Sequence, residues 1–180
     1  VRPPNVARSS INVTVTPVND NDPVITSANA ANVAENTTAV LTVTATDADL
    51  PAQTMSYSIT GGADQGKFSI NGTSGELTFS AAPDYENPTD ADTDNVYVVQ
   101  VTANDGAGRT TNQTLNVTLT PVNDNDPVIT SANTANVAEN STSVLTMTAT
   151  DADLPAQTLS YSITGGADQA KFSINGTTGE

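Results

Sequence analysis

The clearest structural signal is the segment Val96-Tyr97-Val98-Val99-Gln100-Val101-Thr102-Ala103, whose odd-numbered positions are apolar or aromatic throughout. Residues two apart in an extended chain point to the same face, so this pattern predicts a strand with one buried side. The same alternation predicts further short strands at Ala39–Thr46, Thr54–Thr60, Phe68–Ile70, Leu77–Phe79 and Thr114–Thr120, and near Val24–Ile25 and Val33.

Turn residues separate the predicted strands. Gly61-Gly62, Asn71-Gly72 and Asp105-Gly106 are pairs that favour tight turns, and no stretch carries a helical period. About seven short strands in roughly 100 residues are typical of a Greek-key β-sandwich, so we predict an all-β, immunoglobulin-like fold. The Cys…Trp…Cys pattern of true immunoglobulin domains is absent, because the chain contains neither Cys nor Trp.

The chain repeats itself. Pro17-Val18-Asn19-Asp20-Asn21-Asp22-Pro23 returns 104 residues later, beginning at Pro121, and residues 17–76 and 121–180 differ at seven of sixty positions. A period of this length fits a self-sufficient domain better than a solenoid unit. We therefore predict tandem repeats. Residues 1–18 are the C-terminal strand of a preceding repeat, centred on Ile11–Thr16. Residues 19–122 are a complete repeat (the full repeat), and residues 123–180 are the N-terminal part of the next, near-identical one (the second copy).

The charge balance excludes several classes of function. Twenty Asp and Glu residues against five Lys and Arg give a net charge of −15, which argues against binding nucleic acid or entering an anionic membrane surface. The chain has no Cys and no His, which excludes disulfides and Cys/His zinc sites. Carboxylates and amide carbonyls instead suit hard cations, calcium above all.

Acidic and amide side chains cluster where a cation would need them. Asp47-Ala48-Asp49 ends a predicted strand, and Asp84-Tyr85-Glu86 repeats the spacing that turns two carboxylates to one side. Glu35 lies near the start of the full repeat. The linker Asn19-Asp20-Asn21-Asp22 precedes Pro23, which keeps the linker extended and leaves its carbonyls free as calcium ligands.

These motifs, in this order, resemble the calcium motifs of the cadherin family, and in particular the bacterial cadherin-like repeats of large extracellular adhesins. The resemblance covers essentially the whole chain. In that family, sandwich domains join end to end and typically bind three calcium ions at each junction. The resemblance implies metal-binding roles for the early Glu (Glu35, Glu139), the Asp-x-Glu pair (Asp84, Glu86), the linker (Asn19, Asp20, Asn21, Asn123, Asp124, Asn125), the Asp-x-Asp pairs (Asp47 and Asp49, Asp151 and Asp153) and a late Asp (Asp105).

One departure from the family pattern concerns the number of ions. The family's linker motif begins with Asp, whereas Pro17 and Pro121 stand at that position here. Proline supplies no carboxylate, so we expect two or three calcium ions per junction. The junction inside the chain is expected to use Glu35, Asp84, Glu86, Asn123, Asp124, Asn125, Asp151 and Asp153, and the preceding junction Asn19, Asp20, Asn21, Asp47, Asp49 and Asp105.

A further acidic group follows Pro88. Asp90, Asp92 and Asp94 have the i, i+2, i+4 spacing that begins a calcium loop, although the Gly and the distant Glu of an EF-hand are missing. The group is a candidate for an additional metal ion, and a solvated acidic loop is the alternative interpretation.

The predicted function is structural and adhesive. Asp84 and Glu86 have the form of a catalytic carboxylate pair, but aromatic residues that would hold a sugar make up only 4% of the chain, and we predict that the chain is not an enzyme.

Calcium-stiffened repeats would instead form the stalk of a bacterial adhesin, at the cell surface or secreted. The expected partners are neighbouring repeats, with other copies of the chain or surface glycans as further candidates. A self-assembling filament that pairs through Ile11–Thr16, and a carbohydrate-binding or homophilic module, are the alternatives.

Overall fold

The computed structural model describes residues 1–4 and 7–180, which form strands, turns and extended segments. The strands of the full repeat are β1 (Val24–Ile25), β2 (Ala30–Ala34), β3 (Ala39–Thr42), β4 (Ala45–Thr46), β5 (Ser56–Gly61), β6 (Phe68–Ile70), β7 (Glu76–Phe79), β8 (Val96–Asn104) and β9 (Thr110–Thr120). Those described in the second copy are β10 (Val128–Ile129) and β11 (Ala149–Thr150). Single 3-10 turns lie at Gln65–Lys67 and Gln169–Lys171.

Two sheets form the sandwich of the full repeat. One has the strand order β2-β9-β8-β5 and the other β3-β7-β6, while β1 pairs with β4. The two longest strands, β8 and β9, run antiparallel through the middle of the first sheet. β2 joins parallel to β9, from Ala30 beside Asn116 to Ala34 beside Thr120. The predicted all-β sandwich is confirmed.

The core collects the apolar faces that the alternation predicts. Tyr97, Val99 and Val101 of β8 are buried against side chains from both sheets. Phe68 stacks on Phe79 with ring centroids 4.6 Å apart, and Tyr97 meets Phe79 edge-on at 5.1 Å. Such aromatic pairs contribute about 0.5–1.5 kcal/mol each beyond their buried area, so this cluster adds to the stability of the core.

The segment Ala39–Thr46, predicted as one strand, is divided into β3 and β4. β3 pairs with β7, whereas β4 pairs with β1, so the chain changes partner at Val43 and Thr44. The Val43 N–H donates to the Gly75 carbonyl at 2.8 Å, and the Thr44 carbonyl accepts the Thr26 N–H at 2.8 Å. Side chains keep alternating through such a change, so the sequence pattern did not reveal it.

The segment Ile11–Thr16 is not part of a sheet among the described residues. Ile11, Val13 and Val15 are 85%, 81% and 86% exposed. A strand needs a neighbour to satisfy its N–H and C=O groups, and no described segment pairs with this one. The assignment of residues 1–18 to a preceding repeat therefore stays a prediction.

Candidate metal centre

Three carboxylates from separate parts of the chain meet between the full repeat and the second copy. Glu35 follows β2, Glu86 lies in the loop between β7 and β8, and Asp124 lies in the linker after β9. One carboxylate oxygen from each lies within 4.8 Å of the other two. We call Glu35, Glu86 and Asp124 the junction cluster. The sequence assigned these three residues to one junction and the structure brings them together; that they bind an ion stays a prediction.

Glu35 holds the junction cluster to the full repeat. It is 1% exposed, and both of its carboxylate oxygens accept backbone hydrogen bonds. Oε1 accepts the Val122 N–H at 2.6 Å and Oε2 accepts the Tyr85 N–H at 2.8 Å. A single buried carboxylate thus fixes the start of the linker and the loop that carries Glu86.

Glu86 connects the full repeat to the second copy. Its Oε1 accepts the Leu154 N–H at 2.9 Å, while its Oε2 is buried without a hydrogen-bond partner. The Leu154 N–H lowers the pKa of Glu86, but burial and the negative charge of Glu35 together hold that pKa above its ordinary value. A buried carboxylate oxygen without a donor, facing a second carboxylate, fits a cation ligand.

The second copy contributes Asp151 and Asp153. Asp153 is 1% exposed, and its Oδ1 accepts the Asn125 N–H at 3.1 Å and the Asn125 side-chain amide at 2.8 Å. The amide side chain of Asn125 is the main cause of a lowered pKa at Asp153. Asp151 Oδ1 accepts the Asp153 N–H at 3.0 Å. The linker is therefore held to the second copy by the residues that the sequence assigns to the site.

The same arrangement occurs at the start of the full repeat. Asp49 is 5% exposed and accepts the Asn21 N–H at 3.0 Å and the Asn21 side-chain amide at 2.6 Å, and this side-chain hydrogen bond chiefly lowers the pKa of Asp49. Asp47 Oδ1 accepts the Asp49 N–H at 2.8 Å, while Asp47 Oδ2 is buried without a partner. A second orphaned carboxylate oxygen thus lies at a predicted ligand.

Asp105 holds the linker Asn19–Asp22 to the end of the full repeat that lies away from the junction cluster. Its Oδ2 accepts the Asn19 side-chain amide at 2.9 Å, and its Oδ1 accepts three backbone N–H groups, including that of Arg109 at 3.0 Å. Burial raises the pKa of Asp105, but these hydrogen bonds outweigh burial and leave the pKa below its ordinary value. Asp105 is therefore held as a carboxylate beside the linker.

Other predicted ligands point elsewhere. Asp84 accepts the Glu86 and Asn87 N–H groups and the Asn87 side chain, so its carboxylate is turned toward its own loop. Asn123 donates to Gln157 at 2.9 Å. Asp20 and Glu139 are exposed. A role for any of these four residues in binding an ion stays a prediction.

The sequence did not indicate several residues of these sites. Gln53 donates to the Asn19 side chain at 2.8 Å, and Gln157 is its counterpart in the second copy. Arg109 donates to the Asn19 carbonyl at 3.0 Å and to Asp22 at 2.8 Å. Asn36, which has a positive φ of 61°, donates to Asp124. The glutamine and Asn36 recur in the second copy, but so do most positions, and no motif marked these residues.

Comparison with known proteins identifies the family. The profile of the Cadherin domain matches residues 29–120, just over half of the chain. Protocadherin-like wing polarity protein stan of Drosophila melanogaster is 35% identical over 193 residues, which is 98% of this chain and 5% of that protein. Mouse cadherin-23 EC22-24 aligns with a TM-score of 0.61 and 30% identity, covering 91% of this chain and 54% of the other. The protocadherin gammaB7 EC3-6 cis-dimer structure aligns at 0.67 and 28%, covering 93% and 44%.

The comparisons also show what kind of protein carries such repeats. Cadherin homologues are non-enzymatic adhesion proteins of the extracellular space with calcium-binding repeats. The chain spans about 5% of the length of the curated relatives it matches. The relatives named here are animal proteins, and they give no support to the predicted bacterial origin. No helix among the described residues is long and apolar enough to cross a lipid bilayer. The chain belongs to the cadherin family.

Proposed function

We propose that calcium binds at the junction cluster and fixes the second copy to the full repeat, so that the chain acts as a calcium-stiffened connecting segment. The observation that carries this proposal is the meeting of Glu35, Glu86 and Asp124, with Glu86 Oε2 buried and unpartnered. Asp151 and Asp153 complete the ligand set from the second copy through their contacts with the linker.

Electrostatics explains how calcium would act. Two carboxylates 4 Å apart repel by about 4 kcal/mol at an effective dielectric of 20, so an ion-free junction tends to open. A divalent cation removes this repulsion and pulls ligands of both repeats to one point. Extracellular calcium modules bind with Kd of roughly 10⁻⁴ to 10⁻³ M, so the junction would be filled outside a cell and empty inside.

The number of ions follows from the linker. Pro121 stands where the family pattern has Asp, and it removes one carboxylate that both repeats would share. We therefore propose two ions per junction, with a third only where another group replaces the missing carboxylate. Replacing Pro121 by Asp should raise the count by one or tighten the weakest ion, as measured by equilibrium dialysis. An unchanged count and affinity would contradict this role of Pro121.

The test is a calcium titration of the chain, followed by thermal unfolding and small-angle X-ray scattering. At calcium concentrations a hundredfold above Kd, each ion should stabilise the folded junction by about 2.7 kcal/mol, and the scattering should show a narrower range of particle lengths. If saturating calcium changes neither the melting temperature nor the scattering, the junction is not a calcium site.

Matched variants separate metal binding from general charge effects. Glu86→Gln keeps the size of the side chain and an oxygen for the Leu154 N–H but removes a ligand charge, so calcium affinity should fall roughly tenfold or more. Glu76→Gln removes the same charge from an exposed position of β7 that has no part in the cluster. An equal loss of affinity in both variants would attribute the effect to net charge alone.

The wider setting of the segment is also a proposal. Near-identical tandem copies and the resemblance to bacterial cadherin-like repeats support a stalk in a bacterial surface or secreted adhesin, whose binding domain lies elsewhere. Antibodies against this chain should then label intact producing cells or their secreted material. Label confined to the interior of permeabilised cells would contradict this setting.

Self-association between copies is a second candidate function. It is favoured by the likeness to the protocadherin gammaB7 cis-dimer, which covers 93% of this chain. Light scattering with and without calcium should then show dimers at micromolar to millimolar protein concentrations. A chain that stays monomeric throughout this range in calcium would remove this candidate.

A further inference from the structure

A second acidic cluster lies away from the junction, in the loop between β7 and β8. One carboxylate oxygen from each of Asp90, Asp92 and Asp94 lies within 4.8 Å of the other two. None of these residues belongs to the junction cluster or contacts the linker in the described hydrogen bonds. We call them the loop cluster.

Asp90 distinguishes the loop cluster from an ordinary solvated acidic loop. It is only 5% exposed. Its Oδ2 accepts the Asp94 N–H at 2.8 Å, whereas its Oδ1 is buried and has no hydrogen-bond partner. An ionised oxygen without a donor is costly inside a protein. Because Asp90 belongs to a group of three converging carboxylates, a cation is the partner that would satisfy it.

The surrounding structure holds the loop cluster in place. Asp64 is 4% exposed, and its two oxygens accept the Ala91 and Val98 N–H groups, each at 2.7 Å. Asn95 donates its side-chain amide to the Tyr85 carbonyl at 3.0 Å, and its own carbonyl accepts the Leu119 N–H at 2.8 Å. The loop is thus anchored within the cluster, at Ala91, and directly after it, at Asn95, so the carboxylates are preorganised.

The negative charges within the loop cluster repel one another. The negative charge of Asp94 is the main cause of a raised pKa at Asp92, with burial and Asp90 adding to it. Asp94 Oδ1 also accepts the Val96 N–H at 2.8 Å, which holds it beside its neighbours. Three oxygen ligands with excess negative charge suit a hard divalent cation.

We propose that Asp90, Asp92 and Asp94 hold a calcium ion of their own, separate from the ions of the junction. The same loop carries Glu86, and Asn95 is hydrogen-bonded to Tyr85 immediately before Glu86. An ion in the loop cluster would therefore brace the segment that presents Glu86 to the second copy. This bracing role rests on the proposed function, whereas the ion itself does not.

The test counts calcium ions bound to the chain by equilibrium dialysis. The variant Asp92→Asn/Asp94→Asn should bind one ion fewer than the wild type, while Asp90 is retained because it holds the Asp94 N–H. The control Glu76→Gln/Asp168→Asn removes the same two charges from exposed positions, Glu76 on β7 and Asp168 beside Lys171. It should bind the wild-type number of ions. A wild-type count in Asp92→Asn/Asp94→Asn, or an equal loss in the control, would overturn the proposal.

Amide chemical shifts show where the ion binds. In the variant Glu86→Gln/Asp153→Asn, which weakens the junction, calcium should still shift the amides of Asp92 and Asp94. If those amides do not move while wild-type junction amides do, the loop cluster is not a site and the proposed function stands. If they move while no junction residue responds in the wild type, the loop site stands and the proposed function fails.

Discussion

Residues 17–76 and residues 121–180 carry nearly the same sequence but contain different amounts of regular structure. Six complete strands, β1 to β6, lie in the first segment, and two, β10 and β11, lie in the second. The seven sequence differences are conservative exchanges such as Val43 for Met147. Local sequence therefore does not explain why one segment forms six strands and the other only two.

The two segments agree in an asparagine-centred turn and in one short strand pair. Asn71 and Asn175 each accept two N–H groups from the residues that follow them, at 3.0–3.1 Å in one copy and 2.9–3.1 Å in the other. The pair β10–β11 repeats the register of β1–β4. The turns thus form from residues that lie near one another in sequence, and the short strand pairs form between segments of the same copy.

The two segments differ wherever burial depends on β8 and β9. Val33 is 5% exposed, but its counterpart Val137 is 43% exposed; Phe68 is 6% exposed, but Phe172 is 55% exposed. In the full repeat β2 pairs with β9, and Tyr97 of β8 packs against the aromatic pair. Long strands therefore form when they pair with strands distant in sequence. The alternating pattern alone does not form them.

Extending the chain past Glu180 with another copy of residues 77–120 should have the largest effect. The second copy would gain counterparts of β8 and β9 and should fold as a sandwich with a stability of roughly 5–15 kcal/mol. Native-state hydrogen exchange should then protect the amides around Val137 and Phe172. Protection that stays confined to the turns would show that pairing with these strands is not the missing component.

The second-largest effect should be a difference in stability cost between the matched variants Phe68→Ala and Phe172→Ala. Phe68→Ala removes a ring from the buried aromatic cluster and should cost about 3–5 kcal/mol. Phe172→Ala alters an exposed position and should change stability by no more than about 0.5 kcal/mol. Urea unfolding measures both, and similar values for the two variants would contradict the difference in packing.

Exchanging core residues between the copies should have a smaller effect. Val43→Met places the residue found at position 147 into a fully buried site. The larger side chain should overpack the core and cost about 1–3 kcal/mol, whereas Met147→Val should cost less because the second copy is more open. A stabilised Val43→Met variant, measured by thermal unfolding, would indicate unfilled space beside Val43.

Gly66→Ala should have the smallest effect, and it should be favourable. The second copy already has Ala170 at this position, and a Cβ at Gly66 would meet no atom within 4 Å. The substitution restricts the unfolded chain and should stabilise the full repeat by about 0.4–1 kcal/mol. A lower melting temperature in the variant would mean that residue 66 needs the conformational freedom of glycine.

Much of the fold was predictable because the alternation is regular. The pattern located β8 and β9 and assigned Tyr97, Val99 and Val101 to the core, where the structure has them. It did not reveal the division of Ala39–Thr46 into β3 and β4, because side chains alternate through a change of partner. It also predicted a strand at Ile11–Thr16, where no described neighbour supplies hydrogen bonds.

The candidate site was predictable in its charged residues and less so in its supporting ones. The motifs identified Glu35, Glu86 and Asp124, which come together. Motif order does not specify side-chain direction, and Asp84 faces its own loop instead. Arg109 and Gln157 support the linkers through contacts that depend on the folded geometry, and no motif marks them.

The parallel pairing of β2 with β9 has a mechanical consequence. The chain enters the full repeat through β1 and β2 and leaves it through β9, so tension along a tandem array pulls β2 and β9 in opposite directions along their common axis. Their five paired positions would then be loaded together in shear, instead of being unzipped one by one. A repeat built in this way should resist stretching far better than one whose terminal strands run antiparallel.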